Sequence, residues 1–245
     1  VMRVLAPYGV AHLGGDRIVK PYPDEMDEWT HFRHSAEGNM VAQDTIVGPP
    51  RHVRWVAGPM FQRHHALTPG TTVMVGSNGR LFYIQDESPI GFAGLPDQWR
   101  LVARDAFNGK RLWARDMGPW GDSAWSWWSG GHGARGNHPY HVHKRLVTSK
   151  DRVFVTLGYN TPVSALDPAT GDTLLEYEGT EYADEIVFRD GVLYVSVNDR
   201  MQKPLPGVGF SVKPTEDNTS EKTVWAIEPI SGEVLWKAGT YTGVS

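Results

Sequence analysis

One short phrase, written three times, constrains this chain more than any other feature. The copies are Leu101-Val-Ala-Arg-Asp-Ala-Phe-Asn-Gly-Lys-Arg-Leu-Trp113, Val163-Ser-Ala-Leu-Asp-Pro-Ala-Thr-Gly-Asp-Thr-Leu-Leu175 and Val224-Trp-Ala-Ile-Glu-Pro-Ile-Ser-Gly-Glu-Val-Leu-Trp236. Each reads as strand, acidic residue, a turn ending in Gly, strand. The glycines fall at 109, 171 and 232, a period of 62 and then 61 residues. A repeat at that spacing means that each copy is one supersecondary unit that buries its apolar face only by stacking on the next.

The residue types suit the phrase physically. Asp105, Asp167 and Glu228 are placed to accept hydrogen bonds from turn amides, and Pro168 and Pro229 pre-set φ at the first corner. The glycine then takes the left-handed conformation that closes a hairpin with a bulge. Ala103, Ala165 and Ala226 are small where a neighbouring sheet presses close. Trp113 and Trp236 end the phrase with large apolar area fit to fill the space between sheets. The middle copy has Leu175 there, a smaller packing site.

These residues resemble the pyrrolo-quinoline quinone (PQQ) repeat, A-x-D-x-x-T-G-x-x-x-W, of quinoprotein dehydrogenases and of the assembly lipoprotein BamB. The segment Ala165-Leu-Asp-Pro-Ala-Thr-Gly171 fits it best. The resemblance, over roughly residues 45–240, implies an all-β fold: a β-propeller of four-stranded antiparallel blades. It implies a periplasmic or otherwise extracytoplasmic location. It does not by itself imply a quinone, since many proteins with this repeat bind none.

At 245 residues, a period near 62 allows about three to four blades. The expected architecture is therefore a partial propeller, a fragment of a larger seven- or eight-bladed one, with both chain ends cut from a longer protein. Twenty-seven glycines and 17 prolines suit a turn-rich β protein. A net charge of −4 with scattered signs offers no basic field for a phosphate backbone, which argues against nucleic acid as a partner. No apolar run is long enough to span a membrane. The chain has no cysteine, which excludes disulfides and thiolate metal sites.

Residues 1–20 are read as an N-terminal strand and linker: an apolar strand over 3–11 followed by the turn Gly14-Gly15. Residues 21–245 are read as the propeller. Its opening stretch, through Asp24-Glu-Met-Asp-Glu-Trp-Thr-His-Phe-Arg-His34 and Val47-Gly-Pro-Pro-Arg51 to Trp55, resembles the start of large PQQ-repeat-like proteins of planctomycete-type bacteria. About two helical turns are expected after Pro23, with His31 and His34 three apart on one face, and a strand over 54–56. Blade strands are expected at 72–76, 80–85, 100–105 and 110–115, then near 145–148, 152–158, 162–166 and 173–177, then at 184–189, 192–197, 223–228 and 233–238. Asn78-Gly79 and Asp190-Gly191 supply hairpin turns. Residues 117–143 form a loop rich in tryptophan and histidine.

Three groups of residues are candidates for chemistry. His132, His138, His141 and His143 lie close in sequence, and neutral imidazoles suit zinc, copper, nickel or iron; the structural alternative is hydrogen bonding and stacking on nearby tryptophans. His31, His34, Arg63, His64 and His65 lead into the first blade and are placed to collect near the axis, as catalytic or ligand-binding groups or as part of a structural plug with Trp29 and Phe32. The resemblance implies that a quinone, if bound, would lie flat on a tryptophan such as Trp127 or Trp128, with calcium, a carboxylate and an arginine.

The expected function is a ligand-binding or scaffold module without a recognisable catalytic set. Its expected partners are the rest of a propeller or a second chain, and a carbohydrate ligand. Two alternatives stay open: a quinone- or metal-dependent oxidoreductase acting on a sugar or alcohol, and a carbohydrate-active lyase or hydrolase.

Overall fold

A computed structural model of the chain describes residues 2–49, 51–59, 70–88, 98–118, 120, 140–198 and 220–242; for 140–141, 220–221 and 240–242 it describes the backbone alone. The described residues form a two-stranded ribbon, three four-stranded antiparallel sheets and one 3-10 segment, Tyr140–Lys144. The ribbon is β1 (Val10–Leu13) and β2 (Asp16–Val19). Blade I is β3 (Thr71–Ser77), β4 (Arg80–Asp86), β5 (Trp99–Asp105) and β6 (Arg111–Asp116). Blade II is β7 (Leu146–Thr148), β8 (Val153–Thr156), β9 (Val163–Leu166) and β10 (Thr173–Tyr177). Blade III is β11 (Ala183–Arg189), β12 (Val192–Asn198), β13 (Ser220–Ile227) and β14 (Val234–Thr242). Within each blade the strands pair in sequence order. The first strands meet across the centre, β3 against β7 and β7 against β11. This is an all-β partial propeller, with the strands where the repeat phrase puts them.

Two expected elements near the start differ. Residues 24–34 make no helix, and 54–56 pair with nothing as a strand. Helical propensity over 24–34 yields to tertiary contacts, because the backbone from Trp29 onwards is used to bridge blades. The apolar strand expected over 3–11 is confined to β1, which turns at Gly14-Gly15 into β2.

The three phrases fold alike, and their glycines have φ values of 74°, 80° and 78°. In each, the glycine N–H donates to the carbonyl of the acidic residue four positions back, at 2.9, 2.8 and 2.9 Å. The acidic side chain accepts the two amides between: Phe107 and Asn108 on Asp105, Ala169 and Thr170 on Asp167, Ile230 and Ser231 on Glu228. A register shift follows at each turn, the expected bulge.

That turn is also where one blade grips the next. The Trp113 indole lies over Gly171, so a Cβ there would come within 2.8 Å of the ring, and its Nε1–H donates to the Pro168 carbonyl at 3.0 Å. Trp55 treats the first phrase identically, over Gly109 with Nε1–H donating to the Ala106 carbonyl at 3.0 Å. At Gly232 the contact is Leu175, and the hydrogen bond to the matching carbonyl, Pro229, comes from the Tyr177 hydroxyl at 2.7 Å. One core cluster fills the space between blades I and II, around Phe82, Leu101, Leu146 and Val155. A second fills the space between II and III, around Phe154, Ala165, Ile186 and Leu193.

Trp113→Ala should therefore lower unfolding stability by about 3 kcal/mol, the lower part of the range for buried tryptophan truncation. Gly171→Val should lower it as well, since a branched residue at positive φ is strained and its Cβ displaces the ring. Urea denaturation of both variants checks this; a loss under 1 kcal/mol for Trp113→Ala would contradict the latch.

Candidate functional site

The blades have two unlike ends. At one, the turn end, the connections are tight: Asn78-Gly79, 149–152, Asp190-Gly191 and the three phrase turns. At the other, the loop end, the chain leaves β4, β6 and β12 and re-enters at β5, the 3-10 segment and β13. The axis between β3, β7 and β11 is spanned at the turn end by one short segment.

Closure comes from Trp29–His34. The Trp29 carbonyl accepts the Gly76 amide of β3 at 2.7 Å, and the Thr30 carbonyl accepts the Thr148 amide of β7 at 3.0 Å. His31 and His34 then exchange backbone hydrogen bonds, 3.2 and 3.1 Å, in a tight turn with His34 at φ 74°. His31 completes the span, its Nε2 accepting the Phe188 amide of β11 at 3.1 Å. One short segment thus ties all three blades.

These bonds fix the protonation of His31. Nε2 must be an acceptor, so the proton sits on Nδ1, 2.8 Å from Thr30 Oγ1. Burial, and then the neighbouring His34, lower its pKa from 6.5 to about 4. Beside it, His34 Nε2 lies 2.7 Å from Asp27 Oδ2, which also accepts the Gln43 amide at 2.5 Å. Burial opposes the Asp27 charge, but the amides of Gln43 and Glu28 and the His34 imidazole outweigh it and hold the carboxyl below its ordinary range. His34 also meets the Trp29 ring edge-on, with centroids 5.2 Å apart.

Phe32 faces inward from this turn and stacks on His143, with centroids 4.8 Å apart and planes 11° apart. His143 belongs to the 3-10 segment, which packs against β3 and β11, and its Nδ1 bonds the Thr72 carbonyl. Lys144 pairs with Glu185 at 2.9 Å, and Lys222 with buried Asp184 at 2.7 Å. Arg145 is fully buried, donating to the Tyr159 carbonyl at 2.6 Å and lying over the Tyr159 ring at 4.7 Å. Burial lowers its pKa to about 10, with the charge of Asp184 acting in the opposite direction.

Five buried polar atoms here have no hydrogen-bond partner among the described residues: Thr72 Oγ1, Gln85 Nε2, Ser88 Oγ, Thr156 Oγ1 and Asp184 Oδ1. All five belong to residues at or next to the loop end of their strands. Each such atom costs about 1–3 kcal/mol if left unpaired. Among the described residues, no comparable atom lies at the turn end.

Among the expected site residues, His31 and His34 are brought together, and His143 joins them through Phe32. Arg63, His64, His65, Trp127, Trp128, His132 and His138 lie outside the described residues, and His141 is described by its backbone alone. Among the described residues, no three His, Asp or Glu side chains gather as metal ligands. His31 has both ring nitrogens engaged, and the Arg145 guanidinium is enclosed by aromatic rings and a carbonyl. Sequence reasoning missed Asp184, Glu185, Lys144 and Lys222; the visible signals were an acidic pair opening an apolar strand and a basic pair just before β7.

No protein-family model and no curated protein matches the chain. Three solved structures similar to it are BamB from Moraxella catarrhalis (12% identity, TM-score 0.37, 69% of this chain and 36% of that one), quinohemoprotein alcohol dehydrogenase from Comamonas testosteroni (14%, 0.43, 86% and 27%) and Pyrococcus horikoshii acylaminoacyl peptidase (11%, 0.43, 70% and 25%). The chain spans between 25% and 36% of the length of these proteins. No described helix is long and apolar enough to cross a membrane.

The His31 environment predicts a pH dependence. Its folded pKa is below its unfolded one, so the unfolded chain takes up the proton first as pH falls. The His31 contribution is complete above pH 6.5 and erodes between 6.5 and about 4; the full span is worth about 3 kcal/mol. The Asp27 contribution is lost only below 3.8, outside that window. Urea unfolding of wild type and His31→Gln from pH 7.5 to 4 checks this, and equal slopes for the two proteins would contradict it.

Proposed function

We propose that this protein is a PQQ-repeat-like propeller serving as a binding or scaffold module, and that it recognises its ligand or partner at the loop end of the axis. The observation that carries the reading is the unlikeness of the two ends. The turn end is sealed by backbone hydrogen bonds from Trp29 and Thr30. The loop end carries the long connections, two ion pairs and the buried polar atoms without described partners. Function on repeat scaffolds concentrates in such connections, because the sheets hold them without depending on their sequence.

His31 and His34 serve in this reading as structural parts of the plug. The extracytoplasmic location implied by the repeat phrase belongs to the same proposal, as does a partner that is a protein surface, recognised by the alternating charges of Lys144, Glu185 and Lys222.

The test immobilises the protein, exposes it to a periplasmic extract from a bacterium encoding it, and compares variants at the two ends. Lys144→Gln with Glu185→Gln should reduce retention of a bound protein at least tenfold, while Lys150→Glu at the turn end leaves it unchanged. Turnover of a sugar or alcohol by the purified protein, with a quinone absorption band or stoichiometric metal, would overturn the reading in favour of an oxidoreductase.

A further inference from the structure

Three side chains lie in one line across blade III at its loop end. Asn198 of β12 and Lys222 of β13 are register partners, directly opposite each other in the antiparallel ladder. Asp184 of β11 completes the line. Its Oδ2 accepts from the Lys222 ammonium at 2.7 Å and from the Asn198 carboxamide Nδ2–H at 3.4 Å. The register of β11 against β12 shifts between Ala183 and Glu185, so Asp184 sits in a bulge. Bulges re-aim side chains, and this one turns the carboxylate onto the pair that the next two strands set face to face.

The placement suits a reaction between the two outer members of the line. Asp184 is only 4% exposed, and Asn198 and Lys222 are half-buried. Opposed residues in an antiparallel ladder have Cβ atoms about 5 Å apart. The four-carbon stem of a lysine spans that gap, so its nitrogen can reach a carboxamide carbon one bond beyond the opposite Cβ. One carboxylate oxygen then touches both the amine that would enter and the amide nitrogen that would leave. The other oxygen, Asp184 Oδ1, is buried with no hydrogen-bond partner among the described residues, a place for a proton in transit. The neighbouring ion pair differs in kind. Lys144 reaches Glu185 from the 3-10 segment, and the register partner of Glu185 is Ser196, which offers no carboxamide.

We propose that Lys222 and Asn198 join in an intramolecular isopeptide bond, with Asp184 as the general acid and base. The Lys222 ammonium gives a proton to the Asp184 carboxylate, and the neutral Nζ attacks Asn198 Cγ. The Nζ–Cγ bond forms and the Cγ–Nδ2 bond breaks. Of the three Nζ protons, one stays on the new amide. The other two pass by way of the carboxyl to Nδ2, which leaves as ammonium. No electrons change hands and no co-reactant is needed. The bond staples β12 to β13 where the chain leaves blade III at the loop end and returns to it, and it constrains the unfolded chain as any cross-link does. A partner at the loop end then meets an amide at Lys222, while Lys144 and Glu185 keep their charges.

Intact-mass spectrometry of the full chain, denatured after a week at neutral pH, tests the bond. The wild type should weigh one ammonia less than its sequence, and a protease digest should yield one branched peptide carrying both Asn198 and Lys222. Lys222→Arg, which keeps the ion pair, Asn198→Ala and Asp184→Ala should each show the full sequence mass and no branched peptide. A wild type at full mass would overturn the proposal. So would an ammonia loss that persists in Lys222→Arg, because Asn198 would then have closed on its own backbone. A branched peptide surviving in Asp184→Ala would overturn the role given to that carboxylate. None of these outcomes touches the Lys144 and Glu185 retention test, so the bond and the binding reading fail separately.

Discussion

The structure depends on one contact: a large side chain from the outer strand of one blade lying flat on the glycine of the next blade's turn. It joins three requirements that are separately satisfiable but rarely coincide. The glycine must have no Cβ, because any substituent would enter the ring. It must sit at positive φ, because only then does the turn present a flat backbone surface. A carbonyl one residue after the acidic position must point outward, because the indole N–H would otherwise be buried unpaired. The acidic side chain meets the last condition indirectly. By accepting both intervening amides it holds the turn in the shape that leaves that carbonyl free.

Seats of this kind fix neighbouring blades at their rims, and the Trp29–His34 segment fixes them at the axis. Radial sheets held only at the rim would be free to splay at the centre, where β3, β7 and β11 approach but share no ladder. The plug supplies backbone hydrogen bonds to β3 and β7, and a histidine acceptor to β11. A neutral imidazole is well suited to the third bond. It has an acceptor for the Phe188 amide and a donor for Thr30 on opposite sides of a rigid ring, so it spans a gap that a backbone turn cannot reach.

The blades were legible in the sequence because their information is local. The acidic residue, the glycine and the alternation around Asn78-Gly79 act within a few residues, so strand ends fall within a residue or two of expectation in blades I and II. The plug was not legible in that way. Residues 24–34 carry helix-compatible spacing, and what overrules it is bonding to Gly76, Thr148 and Phe188, up to 157 positions away. Trp55 was misread for the reverse reason. Its sequence context looks like a strand, and its side chain behaves as an outer-strand residue should, but no strand lies beside it to pair with. The charged pairs at the loop end were hidden because each joins residues far apart in sequence: Lys144 meets Glu185 of blade III from the 3-10 segment, and Lys222 of β13 meets Asp184 of β11 within blade III.

The middle seat shows which part of the contact is essential. Blade II lacks the terminal tryptophan, and Leu175 leaves more room over its glycine, with a Cβ there 3.2 Å from the nearest side-chain atom rather than 2.8 Å. The carbonyl of Pro229 is nonetheless satisfied, by a hydroxyl from Tyr177 two residues further along the same strand. Apolar contact and hydrogen bond, united in one indole at Trp55 and Trp113, are divided here between two side chains on the same face. Burial raises the Tyr177 pKa well above its ordinary value, so that hydroxyl stays a donor throughout the working range. The seat is thus conserved as a set of physical conditions within one molecule even where the residue that defines the phrase is replaced. A repeat read by its tryptophan alone would lose this copy; read by its turn, it does not.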